Sequence, residues 1–323
     1  MMQRRAFLAA ATFAALATFA VPSLAAAGSH VRVVTRDERG VTLEMELDNA
    51  PFPALGSGYT DATVMVFVPS YLRPAPDGRT SLVVHFHGHS TTAQRSMVAH
   101  QLREQLFESK QNAILVMPQG PMMAADGSIG KLEAPGGLAR LLADVMGVLL
   151  ASSATLGSSA IRPGATVGTV CLSAHSGGYH AAACAVRAGG VEINEVYLFD
   201  ALYGNADAFR DWVVSGKGRS MRRRHKLVSY YGGGTTETQS LGLLAELEKN
   251  DVRCAFDRAE GTLSRQDITR CEAVFIRTSI SHGGVTHELN ALRDCLFASG
   301  LTRHLRTAWF DHKLGARPLE RRR

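Results

Sequence analysis

Apolar positions along the chain fall into two alternating kinds of segment. Short runs rich in β-branched residues read as strands. "VRVVTRDERGVTLEMEL" reads as an antiparallel pair turning at Arg39-Gly40, followed by "ATVMVFVPS", "SLVVHFHG" and "NAILVMPQG". Further along come "EVYLFDALYG", "KLVSYYGGG" and "EAVFIRTSIS". Between the runs lie "QRSMVAHQLREQLFESK", "GGLARLLADVMGVLLASS", "GGYHAAACAVRAGG", "QSLGLLAELEKN" and "HELNALRDCLFASG", whose apolar residues recur at helical spacing. Strands alternating with helices predict a mostly parallel sheet covered on both faces. The unbroken apolar stretches "AILVM" and "VYLF" fit strands buried on both sides. There is no internal repeat and no linker-like tract, so residues 28–323 are expected to form one domain.

The first 27 residues have a different pattern. A basic start with Arg4-Arg5 precedes an apolar run from Ala6 to Val21, and the small residues Ala25 and Ala27 suit a signal peptidase. Arg4-Arg5 followed by Ala6, Phe7 and Leu8 resembles a twin-arginine export signal. The mature protein is expected in the periplasm or outside the cell, without stable membrane insertion.

Composition adds little to this. With 46% hydrophobic and 20% charged residues, the chain is an ordinary globular one. The formal charge of +6 is dispersed except in "MRRRHK" and the tail "RPLERRR", and neither run stands beside aromatic residues or a nucleic-acid-binding module. Both read as solvated surface, and no nucleic-acid partner is expected. Five cysteines in an exported chain leave at least one unpaired. Cys254 and Cys271 bracket the polar stretch "AFDRAEGTLSRQDITR", where an oxidising compartment permits a disulfide.

Chemistry concentrates in "VGTVCLSAHSGGYHAA". Ala174-His175-Ser176-Gly177-Gly178 places small residues two before and two after a serine, between a strand and a helix. A sharp strand-to-helix turn needs such residues, because larger side chains would strike neighbouring elements. Ser176 is therefore the candidate nucleophile. The amide of Gly177 and the start of the following helix would stabilise an oxyanion. At the end of an earlier strand, "HFHGH" carries His85, His87, Gly88 and His89. Gly88 permits a tight turn, and the amide of His89 is the second candidate donor. His87, Gly88 and His175 are expected to face the substrate. His85, His87 and His89 could instead converge on zinc, but the glycine breaks the alternation before the third histidine. No metal or cofactor is expected, and His100 and Asp126 read as surface or structural residues.

A serine hydroxyl needs a base, and the base an orienting acid. Asp200 directly ends the apolar strand "EVYLFD", and a later alternative is Glu237 in "YYGGGTTET". "FIRTSISHGGVTHEL" offers His282, in a loop with two glycines, or His287, next to a helix. Asp200 and His282 are the preferred pair. Met122 and Met123 could contact an acyl chain.

Over residues 60–298, "HFHGH", "PQG", "SAHSGG", "LFDALYG" and "SHGGV" occur in an order that resembles the α/β-hydrolase superfamily. The chain also looks like a set of exported bacterial members of it. The resemblance implies a three-layer α/β/α sandwich around a mostly parallel, eight-stranded sheet. It also implies an enzyme that cleaves a small acyl substrate by way of an acyl-enzyme, with carboxylic-ester hydrolysis foremost. The same triad could serve a peptidase or amidase, or the fold could have become a non-catalytic binding protein. Ala174 departs from the glycine usual at that position, and the acid falls one strand earlier than in most relatives.

Overall fold

A single sheet of ten strands organises the molecule, a computed structural model that describes residues 28–123, 127–156, 161–220 and 223–304. The expected export signal, Asp126 and the tail "RPLERRR" lie outside the described residues. The strands are β1 (His30–Asp37), β2 (Gly40–Glu46), β3 (Thr63–Pro69), β4 (Arg79–Phe86) and β5 (Ala113–Pro118), then β6 (Thr166–His175), β7 (Ile193–Phe199), β8 (Lys226–Tyr231), β9 (Cys254–Asp257) and β10 (Ala273–Arg277). Their spatial order is β1-β2-β3-β5-β4-β6-β7-β8-β10-β9. The pairs β1–β2, β2–β3 and β3–β5 are antiparallel, and all others are parallel.

The helices are α1 (Ala93–Ala99), α2 (Leu102–Ser109), α3 (Gly137–Ala151), α4 (Ser153–Leu156), α5 (Tyr179–Ala188), α6 (Ala206–Ser215), α7 (Thr235–Lys249), α8 (Arg265–Arg270) and α9 (Ala291–Phe297). None of them is long and apolar enough to cross a membrane. Two-residue alternation divides the strands between two cores. Val64, Leu82, Val84, Leu172 and Leu198 face one core, with residues of α3, α5, α6 and α7. Phe67, Val83, Leu115, Tyr197 and Val228 face the other, with residues of α1, α2 and α9. The result is the three-layer α/β/α sandwich expected of the α/β-hydrolase fold class.

The sheet has ten strands rather than the eight expected, with the antiparallel β1 at one edge and β9 at the other. The stretch between Cys254 and Cys271 is therefore not a plain polar loop, since it holds both β9 and α8. As a four-residue edge strand with only its last residue fully buried, β9 leaves little periodic trace in the sequence. All five cysteines are free. The long helix expected over "QRSMVAHQLREQLFESK" breaks into α1 and α2 at Gln101, whose φ is +50°. In "MRRRHK", the expectation of solvated surface fails for Arg224, His225 and Lys226, which are all buried.

Candidate active site

The carboxyl ends of the parallel strands carry the chemistry-bearing residues, as is general for open α/β sheets. β6 ends at His175, and Ser176 follows with φ of +52°, in the left-handed region. A non-glycine residue there costs on the order of 1–3 kcal/mol and persists only where its surroundings impose it. One imposing contact is at Gly178. A Cβ at that position would lie 2.4 Å from the carbonyl oxygen of Phe86 at the end of β4. The buried Ala174 meets the same demand on the other side of the serine. At Gly88, in the turn after β4, a Cβ would lie 2.8 Å from the Cβ of Ser176. Small residues around the serine are thus a consequence of how closely two strand ends approach. α5 begins just beyond, at Tyr179.

Asp200 follows β7 with φ of +44°, and His282 lies in the loop between β10 and α9. The structure joins these two: His282 Nδ1 donates to Asp200 Oδ2 at 2.6 Å. Asp200 Oδ1 accepts from the Gly232 amide at 3.1 Å and from Thr236 Oγ1 at 2.5 Å. Burial, the strongest single influence, raises the Asp200 pKa. The bonds from His282, Thr236 and Gly232 together outweigh it and hold the carboxyl below its ordinary value. The acid is therefore ionised, fixed and aimed at one nitrogen of the imidazole. The His282 side chain is 45% exposed, so its other nitrogen can meet a ligand from solvent. The exposed ring of Tyr203 stands edge-on to His282, with centroids 6.3 Å apart.

The alternates lie elsewhere. Glu237, in the first turn of α7, faces Arg277 at 3.6 Å. His287 is in the turns before α9, and its ring meets the His100 ring edge-on at 5.6 Å. His87 engages both ring nitrogens within the protein while its side chain lines the cleft beside Gly88. Its Nε2 accepts from the Gly120 amide at 2.8 Å, so Nδ1 donates to the Gly88 carbonyl at 2.8 Å. This fixes the Gly88 turn from behind. His175 is likewise buried, with Nε2 donating to the His282 carbonyl at 2.8 Å. His89 is exposed on the turn after Gly88.

The zinc arrangement is not formed. His85 is fully buried and bonded to Ser173 Oγ at 2.8 Å, His87 is engaged as above, and His89 is exposed. Among the described residues, no group of three His, Cys, Asp or Glu side chains could hold a metal ion. A narrow cleft adjoins Gly88, Gly177 and Gly178 and has walls of Phe86, His87, Ile129 and Leu132. Met122 and Met123 are exposed and are not among its walls. Sequence reasoning missed Thr236, Gly232 and Tyr203. Only the sharply bounded "YYGGGTT", which opens α7, hinted at a structured turn there.

No protein-family model and no curated protein matches the chain. Solved structures with similar architecture include an S-formylglutathione hydrolase from Agrobacterium tumefaciens, at 12% identity and TM-score 0.42, covering 82% of this chain and 96% of that one. A feruloyl esterase module from Clostridium thermocellum aligns at 10% identity and TM-score 0.44, covering 89% and 92%. The siderophore hydrolase EstB from Aspergillus nidulans aligns at 12% identity and TM-score 0.36, covering 85% and 94%.

Proposed function

We propose that the protein is a serine hydrolase that cleaves carboxylic esters of small acyl substrates through an acyl-enzyme. The observation that carries this reading is the Asp200–His282 bond, which lies at the same end of the sheet as the left-handed Ser176. Asp200 holds Nδ1 and leaves Nε2 of His282 to accept the serine proton as Oγ attacks the acyl carbon. The oxyanion then meets the amides of Gly177 and His89, and each such donor contributes about 3 kcal/mol to the transition state. The bond to the alcohol breaks, and the alcohol leaves with the proton held by His282. Water, deprotonated by the same nitrogen, attacks the acyl carbon, and the proton passes to Ser176 Oγ as the carboxylic acid departs. Following the export signal read in residues 1–27, this chemistry would take place outside the cytoplasm.

The test is pre-steady-state hydrolysis of p-nitrophenyl esters from acetate to octanoate. A burst of one p-nitrophenol per active site is expected, with the acyl mass on the Ser176 peptide and no effect of a chelator. A wild type no faster than Ser176→Ala on every ester would overturn the reading.

A further inference from the structure

His175 is buried to within 7% of full enclosure at the end of a strand whose preceding residues, Val170 to Ala174, are all apolar or small. A leucine would fill such a position without the cost of desolvating an imidazole. The structure shows what the imidazole does there. Its Nε2 lies 2.8 Å from the carbonyl oxygen of His282, so Nε2 carries the proton and donates. The same ring supports the turn after β4, since a Cβ at Gly88 would lie 3.2 Å from His175 Nδ1. Behind it packs His100, with ring centroids 4.6 Å apart, and in front the ring of His282, at 4.7 Å.

The loop that carries His282 makes this bond consequential. Residues 278–290, between β10 and α9, contain turns but no helix or strand. Asp200 grips only the tip of the His282 side chain through Nδ1. The loop backbone is held at its start by the Thr278 amide, which donates to the Tyr231 carbonyl at 2.9 Å, and further on at the Thr286 carbonyl, which accepts from Gln105 Nε2 at 3.0 Å. Between those anchors, the bond at the His282 carbonyl holds the backbone at His282 itself, and it comes from the residue immediately before Ser176. We infer that His175 is a positioning residue: its Nε2–H···O=C bond to His282 registers the Asp200–His282 pair on the turn that holds Ser176. The inference rests on the serine-hydrolase reading for its kinetic consequence, but not for its structural one. Displacement of a reacting group by about 1 Å can cost 10²-fold in rate.

Three forms of the protein test it: wild type, His175→Phe and His175→Gln. Phenylalanine keeps a ring but removes the donor, whereas glutamine places an amide donor near the position of Nε2. Amide hydrogen exchange across residues 278–290 should quicken at least about tenfold in His175→Phe and return towards wild type in His175→Gln. With a short ester, His175→Phe should lower kcat by about 10²-fold and change KM less than about threefold, while His175→Gln recovers at least about tenfold in kcat. Unchanged exchange in a folded His175→Phe, or a glutamine variant as impaired as the phenylalanine one, would overturn the inference. If exchange responds as expected but the wild type neither turns over an ester nor labels with a fluorophosphonate, the clamp stands and the hydrolase reading falls.

Discussion

β7 bears a carboxylate near each of its ends, and the two are treated in opposite ways. Near its start, Glu195 is fully buried and faces Lys226 at 3.8 Å, also fully buried. Each partner is further satisfied. Glu195 accepts from Tyr197 Oη at 2.8 Å and from the Gly300 amide at 2.6 Å, while Lys226 donates to the Ala298 carbonyl at 2.8 Å. Just past the other end of β7, Asp200 also holds a base, but its backbone is left-handed and its partner is 45% exposed. The first pair closes the end of the sheet against the segment after α9 and has no access to a ligand. The second leaves its imidazole partly exposed at the end of the sheet that carries the left-handed Ser176. Similar groups are thus saturated and enclosed at one end and left partly exposed at the other, and in the proposed reading burial with hydrogen-bond saturation separates cohesion from chemistry.

Substitutions at the two pairs should therefore separate activity from stability. The largest effect is expected from Asp200→Asn, which leaves the shape intact but presents the wrong hydrogen-bonding group to His282. Ester kcat should fall about 10³–10⁴-fold while the thermal midpoint moves by only a few degrees. At the other end, Glu195→Ala leaves the Lys226 ammonium buried without its counter-charge. Urea titration should show about 3–5 kcal/mol lost, with kcat per folded molecule within about twofold of wild type. A stability loss at Asp200 equal to that at Glu195, or a kcat collapse in Glu195→Ala, would break the comparison.

A smaller effect involves pH. Burial, reinforced by the imidazoles of His175 and His287, pushes the His100 pKa from 6.5 down to about 3. Burial likewise takes His175 down to about 4, although its bond to His282 opposes the shift. Both folded values lie below the unfolded one, so the unfolded chain binds more protons once pH drops below about 6.5. Stability should therefore fall as pH goes from about 6.5 towards 4. His100 Nδ1 has no hydrogen-bond partner, so His100→Phe should cost little at pH 7 and flatten that acid decline in a melting series. A slope identical to wild type would contradict the assignment. The smallest expected effect is Thr236→Val, which removes one bond to Asp200 and should lower kcat about three- to tenfold, with the acid limb of the rate profile moving to higher pH.

The same contrast explains what could be read in advance. Runs such as "AILVM" and "VYLF" are buried on both faces, so their apolar density identifies them as strands without knowledge of their neighbours. β9 has one partner and a half-exposed pattern, so a sequence reading passes over it. α6 was also legible in principle, because Ala208, Phe209, Trp212 and Val213 lie at helical spacing, yet it is absent from the expected helices. At the site, Ser176, Asp200 and His282 could be proposed because each stands next to a strand end or a glycine. The roles of Thr236 and Gly232 could not, since they depend on how the turn after β8 approaches that after β7. His87 and His175 were read as facing substrate from their places next to Gly88 and Ser176. Only the structure shows that both ring nitrogens of His87, and Nε2 of His175, also bond to backbone groups.

The central claim is that Ser176 is activated by the Asp200–His282 pair, and covalent labelling tests it most directly. The folded protein is treated with a fluorophosphonate probe beside Ser176→Ala and Asp200→Asn, and the modified peptide is identified by mass spectrometry. The account predicts rapid labelling at Ser176 in the wild type, none in Ser176→Ala and strongly slowed labelling in Asp200→Asn. A folded wild type that stays unlabelled, or one labelled just as fast without Asp200, would contradict it.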